Sequence, residues 1–370
     1  MTDLLMIFLA AMLAVPAAVI FLSERNYRRL PYLPNLNNIP LSSVEIIVPA
    51  RNESASIERL VCSLVALDYP SVHLTVVDDG SSDDTALKAK VAGAAVLCLS
   101  SDLPPGWTGK CNACDQAARY SEADWLLFTD ADTYHTPDSL RRVVTYAERC
   151  QLDAVSLLLR QECVTFWERL ILPMAYQNYF ATLNADQPAF NGQYILIRRA
   201  VYEESGGFGA VRGRVMEDVA LATLLAAQGY RIKLLNGHSA ASVRMYRDLP
   251  ALLRGMTKTA FVAARDRGGF GLLLGGAVLL GVCAIPALIV GLVTGYAPLL
   301  LWGLAMMIIT AVGLPSWMRR FEVERWWFYP LLSQIGVFIL FGVGFTSTFR
   351  TILGWGVRWK GRTIIEHRTA

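Results

Sequence analysis

The sequence predicts an α/β domain built on a mostly parallel sheet and flanked by transmembrane helices. Three observations carry this. Short β-branched runs alternate with amphipathic stretches from Val44 onward, bilayer-length apolar runs lie on either side of that region, and acidic clusters recur where the predicted strands end. With 54% hydrophobic residues among 370 and a mean hydropathy of +0.37, the chain is too apolar for an ordinary soluble protein of this length. A net charge of +3 gives no sign of a nucleic-acid partner. Seven scattered cysteines do not read as a disulfide framework and point to a reducing compartment. Cys111 and Cys114 form a CxxC, but no second Cys or His cluster completes a metal site, so they read as small helix residues.

Leu4 to Leu22 is long enough to cross the ~30 Å hydrocarbon core as a helix, giving an N-terminal transmembrane helix over 1–23. Met1, Thr2 and Asp3 lack the positive start of a signal peptide, and Arg25, Arg28 and Arg29 follow the run instead. The N-terminus is therefore expected outside and the rest in the cytoplasm of a multi-pass protein of the cell (inner) membrane. Pro31, Pro34 and Pro40 make 24–43 a stiff linker. Within 44–248 the predicted strands are Val44 to Val48, Leu74 to Val77, Ala95 to Leu99 and Trp125 to Phe128. Helical patterns separate them: Ile57, Leu60, Val61 and Leu64 share one face, and further helices cover Asp84 to Ala92 and Lys110 to Tyr120. An amphipathic segment over 249–268 is suited either to the membrane interface or to a protein surface. In the region 269–348, Leu272 to Val293 and Ala297 to Leu314 read as a transmembrane hairpin, and Trp326, Trp327 and Tyr329 as an interfacial belt. The last apolar run, Leu331 to Phe345, either crosses, placing the basic tail 349–370 outside against the positive-inside rule, or re-enters.

Loops leaving the carboxyl ends of parallel strands form the ligand crevice of such sheets. Four clusters fall there. Pro49, Ala50, Arg51, Asn52 and Glu53 follow the first strand, where a plain turn is the simplest account. Asp78 to Thr85 follows the second; first-turn preference explains Asp83 and Asp84, whereas Asp78 and Asp79 add nothing to packing and suit hydrogen bonds from a ribose or uracil. Asp130, Ala131 and Asp132 follow the fourth. Residues two apart in extended backbone face one way, so Asp130 and Asp132 suit a hard cation, Mg²⁺ or Mn²⁺, shared with a diphosphate. Glu217 and Asp218 open an apolar-periodic helix, where Asp218 reads either as an N-cap or as a general base. Of the four histidines, only His135 lies near a cluster.

In this order VPARNE, VVDDGSSDDT, FTDADT and MEDVAL resemble a family 2 glycosyltransferase of the GT-A fold, from about Val44 to Tyr230. The resemblance implies inverting transfer of a single sugar, glucose or similar, from a UDP-sugar. It assigns the nucleotide to Asp78 and Asp79 with Pro49, Ala50, Arg51 and Glu53, the metal and diphosphate to Asp130, Ala131 and Asp132, and the base to Asp218 beside Glu217. Gly106 to Lys110 with Asn112 and Ala113 is similar to the WTGKxxA segment of bacterial membrane-bound carotenoid- and hopanoid-associated glycosyltransferases, and less closely to ceramide glucosyltransferases. That likeness implies a lipid-type acceptor. Lys110 at a helix start adds a cation for diphosphate, though without Walker A spacing. Trp359, Lys360 and Arg362 resemble the tail of these enzymes and would reach phosphate if the tail folds back. Arg244 and Arg247 stand where processive members carry QxxRW, and the missing Trp argues against a polymer synthase and translocator. A non-catalytic sugar-nucleotide-binding protein is the other alternative, disfavoured because binding alone needs no base.

Overall fold

The computed structural model describes residues 2–36, 41–183, 187–266, 269–353, 357–359 and 362–364. Two compact units emerge. One comprises chiefly Leu30–Gln161 and Asp186–Met245, the other chiefly Met1–Arg29, Glu162–Ala185 and Tyr246–Trp359.

The first unit contains β1 (Val44–Ala50), β2 (Val72–Asp78), β3 (Ala95–Cys98), β4 (Trp125–Thr129), β5 (Thr133–His135), β6 (Ala154–Leu158), β7 (Arg160–Gln161), β8 (Tyr194–Arg198), β9 (Ile232–Asn236) and β10 (Ala241–Val243). A seven-stranded sheet has the order β3-β2-β1-β4-β8-β6-β9, and β5, β10 and β7 form a small second sheet. β1 is parallel to both β2 and β4, while β8 is antiparallel to β4 and β6. Strand alternation sends Val44, Ile46, Val48, Trp125 and Leu127 into one core and Ile47, Leu126 and Phe128 into the core on the opposite face. Because the chain runs from β1 outward to β3 and then returns to β4 on the other flank of β1, the strand order reverses between β1 and β4. A crevice at the carboxyl ends of strands forms at such a switch point.

The proline-rich segment is docked to this unit. Leu33 N–H donates to Asn236 O at 2.9 Å and Asn236 N–H to Pro31 O at 2.8 Å, adding Tyr32 to the β9 edge. The Arg142 guanidinium donates to Leu33 O at 3.0 Å and Pro34 O at 3.2 Å. Pro34 and its neighbours thus cap a sheet edge.

In the second unit the first helix, Thr2–Arg29, runs past the apolar segment to include the basic cluster. Among the described residues, four helical segments are long and apolar enough to cross a membrane: Met6–Arg29, Leu274–Thr294, Ala297–Arg320 and Tyr329–Arg350. Their large apolar side chains, such as Ile7, Val293, Ile308 and Phe345, are exposed, as a lipid environment requires. The last segment is one unbroken helix over Ser333–Ile352, continuous through Gly342 and Gly344. The hairpin helices Gly269–Thr294 and Ala297–Val312 approach closely at glycine: a Cβ on Gly303 would lie 2.7 Å from Ala284 O, and one on Gly291 2.5 Å from Leu300 N.

A further helix, Phe166–Thr182, belongs to this unit and was not anticipated. Its start is a capping box, in which Glu168 N–H donates to Thr165 Oγ1 and Thr165 N–H to Glu168 Oε2. It packs on the first helix through Tyr27 and Phe180, with Asn26 Nδ2 donating to Phe180 O at 2.9 Å. Glu24 accepts from both terminal nitrogens of Arg320, at 3.0 and 2.6 Å. The Arg320 guanidinium also stacks 3.9 Å over the Tyr27 ring.

Candidate active site

The loops after β1 and β2 satisfy one another. Asp79 N–H donates to Ala50 O at 2.8 Å, the Arg51 guanidinium donates to Asp79 O, and Asn52 N–H donates to Ser81 Oγ at 2.9 Å. Glu53 N–H donates to Thr85 Oγ1 at 2.8 Å, and the Glu53 carboxylate accepts from Ser56 Oγ at 2.9 Å. Asn52 holds φ +52°, a left-handed conformation that asparagine tolerates. Asp83 accepts from Ser54 N–H and Thr85 N–H; burial would raise its pKa, but these hydrogen bonds win and lower it. Asp83 is therefore a loop clamp, a role that first-turn helix preference does not give. Pro49 is half-buried in β1. Asp78 and Asp79 are buried at the end of β2; Asp78 Oδ2 accepts from Ser81 N–H at 3.1 Å, while its buried Oδ1 accepts no hydrogen bond from the described residues. A buried carboxylate oxygen in that state suits a ligand donor such as a ribose hydroxyl or a base N–H.

Asp130, Ala131 and Asp132 form the turn from β4 into β5, with Thr133 N–H and Oγ1 both donating to Asp130 O, at 3.3 and 2.9 Å. The two aspartates therefore flank a turn, and the alternation of extended backbone does not relate them. Arg244 N–H, just beyond β10, donates to Asp132 O at 3.1 Å, which ties the second sheet to this turn. Ala131 is buried beneath it. His135 lies under the same turn, its Nε2 3.1 Å from both Thr129 Oγ1 and Thr133 Oγ1. Burial drives its pKa down to about 3, so the ring is neutral and supports the turn.

The two remaining clusters meet at Lys110. Thr108 caps the helix Gly109–Ala118, accepting from Cys111 N–H at 3.3 Å, and Lys110 falls in its first turn. Lys110 Nζ lies 2.6 Å from Asp130 Oδ1 and 3.2 Å from Glu217 Oε1, and donates to Gly192 O at 3.1 Å. Burial pulls its pKa down, but Asp130 and Glu217 outweigh this and hold it well above the usual lysine value. Gly192 N–H in turn donates to Asp218 Oδ2 at 2.7 Å. A Cβ on Gly192 would stand 3.1 Å from both Asp218 Oδ2 and Lys110 Nζ, so a side chain there would have to push one or both aside. Asn191 N–H donates to Ser156 Oγ at 2.8 Å and Thr129 Oγ1 donates to Gln193 O at 2.9 Å, pinning this loop to β6 and β4.

The cap of the helix Glu217–Ala227 is Met216, so Asp218 sits inside the first turn and is not the N-cap. Burial, then the charge of Glu217, raises the Asp218 carboxyl to about 6, against the lowering effect of Lys110 and the Val219 and Gly192 amides. Cys111 is likewise pushed up to about 12, chiefly by burial, so its thiol is inert. Arg247 belongs to the other unit, Lys360 lies outside the described residues, and so do the side chains of Trp359 and Arg362.

The hard carboxylates of Asp130 and Asp132 fit Mg²⁺ or Mn²⁺, and Asp130 already holds one cation, the Lys110 ammonium. The crevice at the strand-order switch thus carries acidic loops at one end and a carboxylate-and-lysine centre at the other. Residues 45–206 match the Glycosyl transferase family 2 model. Two curated relatives, the 4,4'-diaponeurosporenoate glycosyltransferases of Staphylococcus aureus strains MRSA252 and USA300, are each 28% identical over 232 residues, covering 60% of this chain. The chain spans 61% of the length of these relatives. The fold is GT-A: a mannosyltransferase from Pyrobaculum calidifontis, solved in complex with GDP-Man and Mn²⁺, superimposes with a TM-score of 0.54 at 20% identity, over 93% of this chain and 99% of the other.

Proposed function

We propose that this protein is an inverting glycosyltransferase that moves one sugar, glucose or similar, from a UDP-sugar to a lipid-type acceptor such as a carotenoid, a hopanoid or another membrane lipid. The observation that carries this is the Lys110 junction, where residues from four separate segments meet: the helix start itself, Asp130, Gly192 and Glu217. The relatives' names, a glycosyltransferase for diaponeurosporenoate, and the four apolar helices support the acceptor class. Arg25, Arg28 and Arg29 after the first helix, and Arg319 and Arg320 after the hairpin, favour the cytoplasmic face of the cell membrane for the catalytic unit.

In this reading Asp78 and Asp79 hold the nucleoside end beside Pro49, Arg51 and Glu53. Asp130 and Asp132 hold Mg²⁺ or Mn²⁺, which when bound offsets charge on the departing diphosphate. Lys110 lies beside them as a second cation, with Arg244 next to the same turn. Asp218 takes the proton of the acceptor hydroxyl as its oxygen bonds to the anomeric carbon, and the bond to the diphosphate breaks with its electron pair. A carboxyl at about 6 is well matched to that task near neutral pH. The Gly192 amide fixes its orientation.

The full chain, purified with Mn²⁺ or Mg²⁺, is incubated with a panel of UDP-sugars and host lipid extract, and products are read by mass spectrometry. A lipid gaining one hexose mass supports the proposal. Polymeric product, or no product with any lipid, refutes it.

A further inference from the structure

The second unit contains a groove that shares no lining residue with the Lys110 junction. It has a volume of about 450 Å³ and lies between the helices Leu249–Asp266 and Ser333–Ile352, which Ser347 Oγ joins by donating to Thr257 O at 2.7 Å. Its walls are apolar at Leu253, Ile339 and Val343, and a Cβ on Gly342 would meet nothing within 4 Å, so that stretch of wall is open. The volume falls within the ~300–1,000 Å³ of ordinary ligand sites. The lining includes two arginines, Arg254 and Arg350, and no acidic residue.

Three other arginines of this unit are engaged: Arg320 with Glu24, Arg169 with Glu324, and Arg319 over the Trp326 ring. Arg254 and Arg350 are exposed and have no ion pair, hydrogen bond or ring contact among the described residues. Arg350 ends a candidate membrane span whose Phe338, Phe341 and Phe345 are exposed. Two uncommitted guanidinium groups over an apolar channel, at the end of a segment suited to hydrocarbon, complement an amphiphile with an anionic head. The planar guanidinium fork matches phosphate oxygens, and basic pockets between membrane helices take phosphate head groups.

We propose that this groove binds an acidic phospholipid of the bilayer, with one acyl chain against Leu253, Ile339 and Val343 and the phosphate held by Arg254 and Arg350. The site is independent of the sugar-transfer reading. The test uses the full chain in detergent, titrated with phosphatidylglycerol, phosphatidylcholine, oleate or inorganic phosphate and read by native mass spectrometry. Phosphatidylglycerol should bind in preference to the other three. The double variant Arg254→Gln, Arg350→Gln should weaken that binding roughly 30-fold, from the near-surface contribution of two cations. Gly342→Leu should fill the channel and displace the lipid, whereas Gly344→Leu, also in open space but outside the lining, should bind as the parent does. Equal binding of phosphatidylcholine, retention by the double arginine variant, or preference for oleate or bare phosphate would each overturn the proposal. A loss shared by Gly344→Leu would also overturn it, since the effect would then not belong to the groove.

Discussion

The two ends of the proposed crevice use polar residues in opposite ways. At the nucleoside end, the loops after β1 and β2 spend most of their hydrogen-bonding capacity on each other: Asn52 with Ser81 and Ser82, Glu53 with Thr85, and Ser54 with Asp83. At the transfer end, Asp130, Glu217 and Asp218 are gathered around one lysine and one glycine, and like charges are held close. The first arrangement gives rigidity, since satisfied polar groups fix a loop. The second stores electrostatic tension that a substrate can use. Substitutions should therefore act on binding and stability at one end and on turnover at the other.

The largest effect is expected at the transfer end. Asp218→Asn keeps an acceptor for the Gly192 amide but removes the base, and with a hydroxyl acceptor should lower kcat by about 10²–10⁴ with UDP affinity nearly unchanged. A carboxylate acceptor has no proton to give, so the same variant would then retain most of its rate. Assays with both acceptor types therefore separate the two chemistries. Lys110→Met should cost about 10² in kcat/KM by removing the cation beside Asp130, measured in steady state with saturating Mn²⁺.

The pH profile should sharpen the contrast. The folded pKa of Asp218, about 6, lies above its ordinary value of 3.8, so the base is lost as pH falls through 6 and the rate should drop up to about tenfold per unit below it. The ionised form correspondingly costs stability above pH 6, a cost relieved as pH falls through that value and gone below about 4. Asp218→Asn should thus be neutral or stabilising in a pH 7 melt, which a purely structural carboxylate would not be. Gly192→Ala should lower kcat about tenfold, since its Cβ presses on both Asp218 and Lys110. The smallest effect belongs to the nucleoside end: Thr85→Val leaves Glu53 N–H without its partner and removes one of three donors to Asp83, costing about 1 kcal/mol of stability in a denaturant titration and raising KM for the donor a few-fold.

The strands and the four clusters were legible because each is local. Val44 to Val48 and Trp125 to Phe128 are runs of a few residues, and their acidic ends break an apolar pattern within one or two positions. What joins the clusters was not legible. Lys110 reaches Gly192 across 82 residues of sequence, and no propensity or spacing encodes that approach. Gly192 acts through its backbone N–H and C=O, which carry no residue-type signature. The turn at Asp130 to Asp132 was read as extended because strand alternation was carried one step too far. The helix Phe166–Thr182 did carry a local signal, the Thr165 and Glu168 capping box, that was readable and overlooked.

The pairing of Glu24 with Arg320 has a consequence for biosynthesis. Its partners lie 296 residues apart, with the catalytic unit encoded between them. At ordinary translation rates of ~5–20 residues per second, Glu24 is made about 15 to 60 seconds before Arg320 exists, with only the looser contact to Arg28 at 3.8 Å available within its own helix. During that interval the first helix has the helix Phe166–Thr182 to pack on, through Asn26 and Tyr27, but not the hairpin. Its final seat is settled only when the hairpin arrives, so the catalytic unit is synthesised on a tether that has not yet been locked.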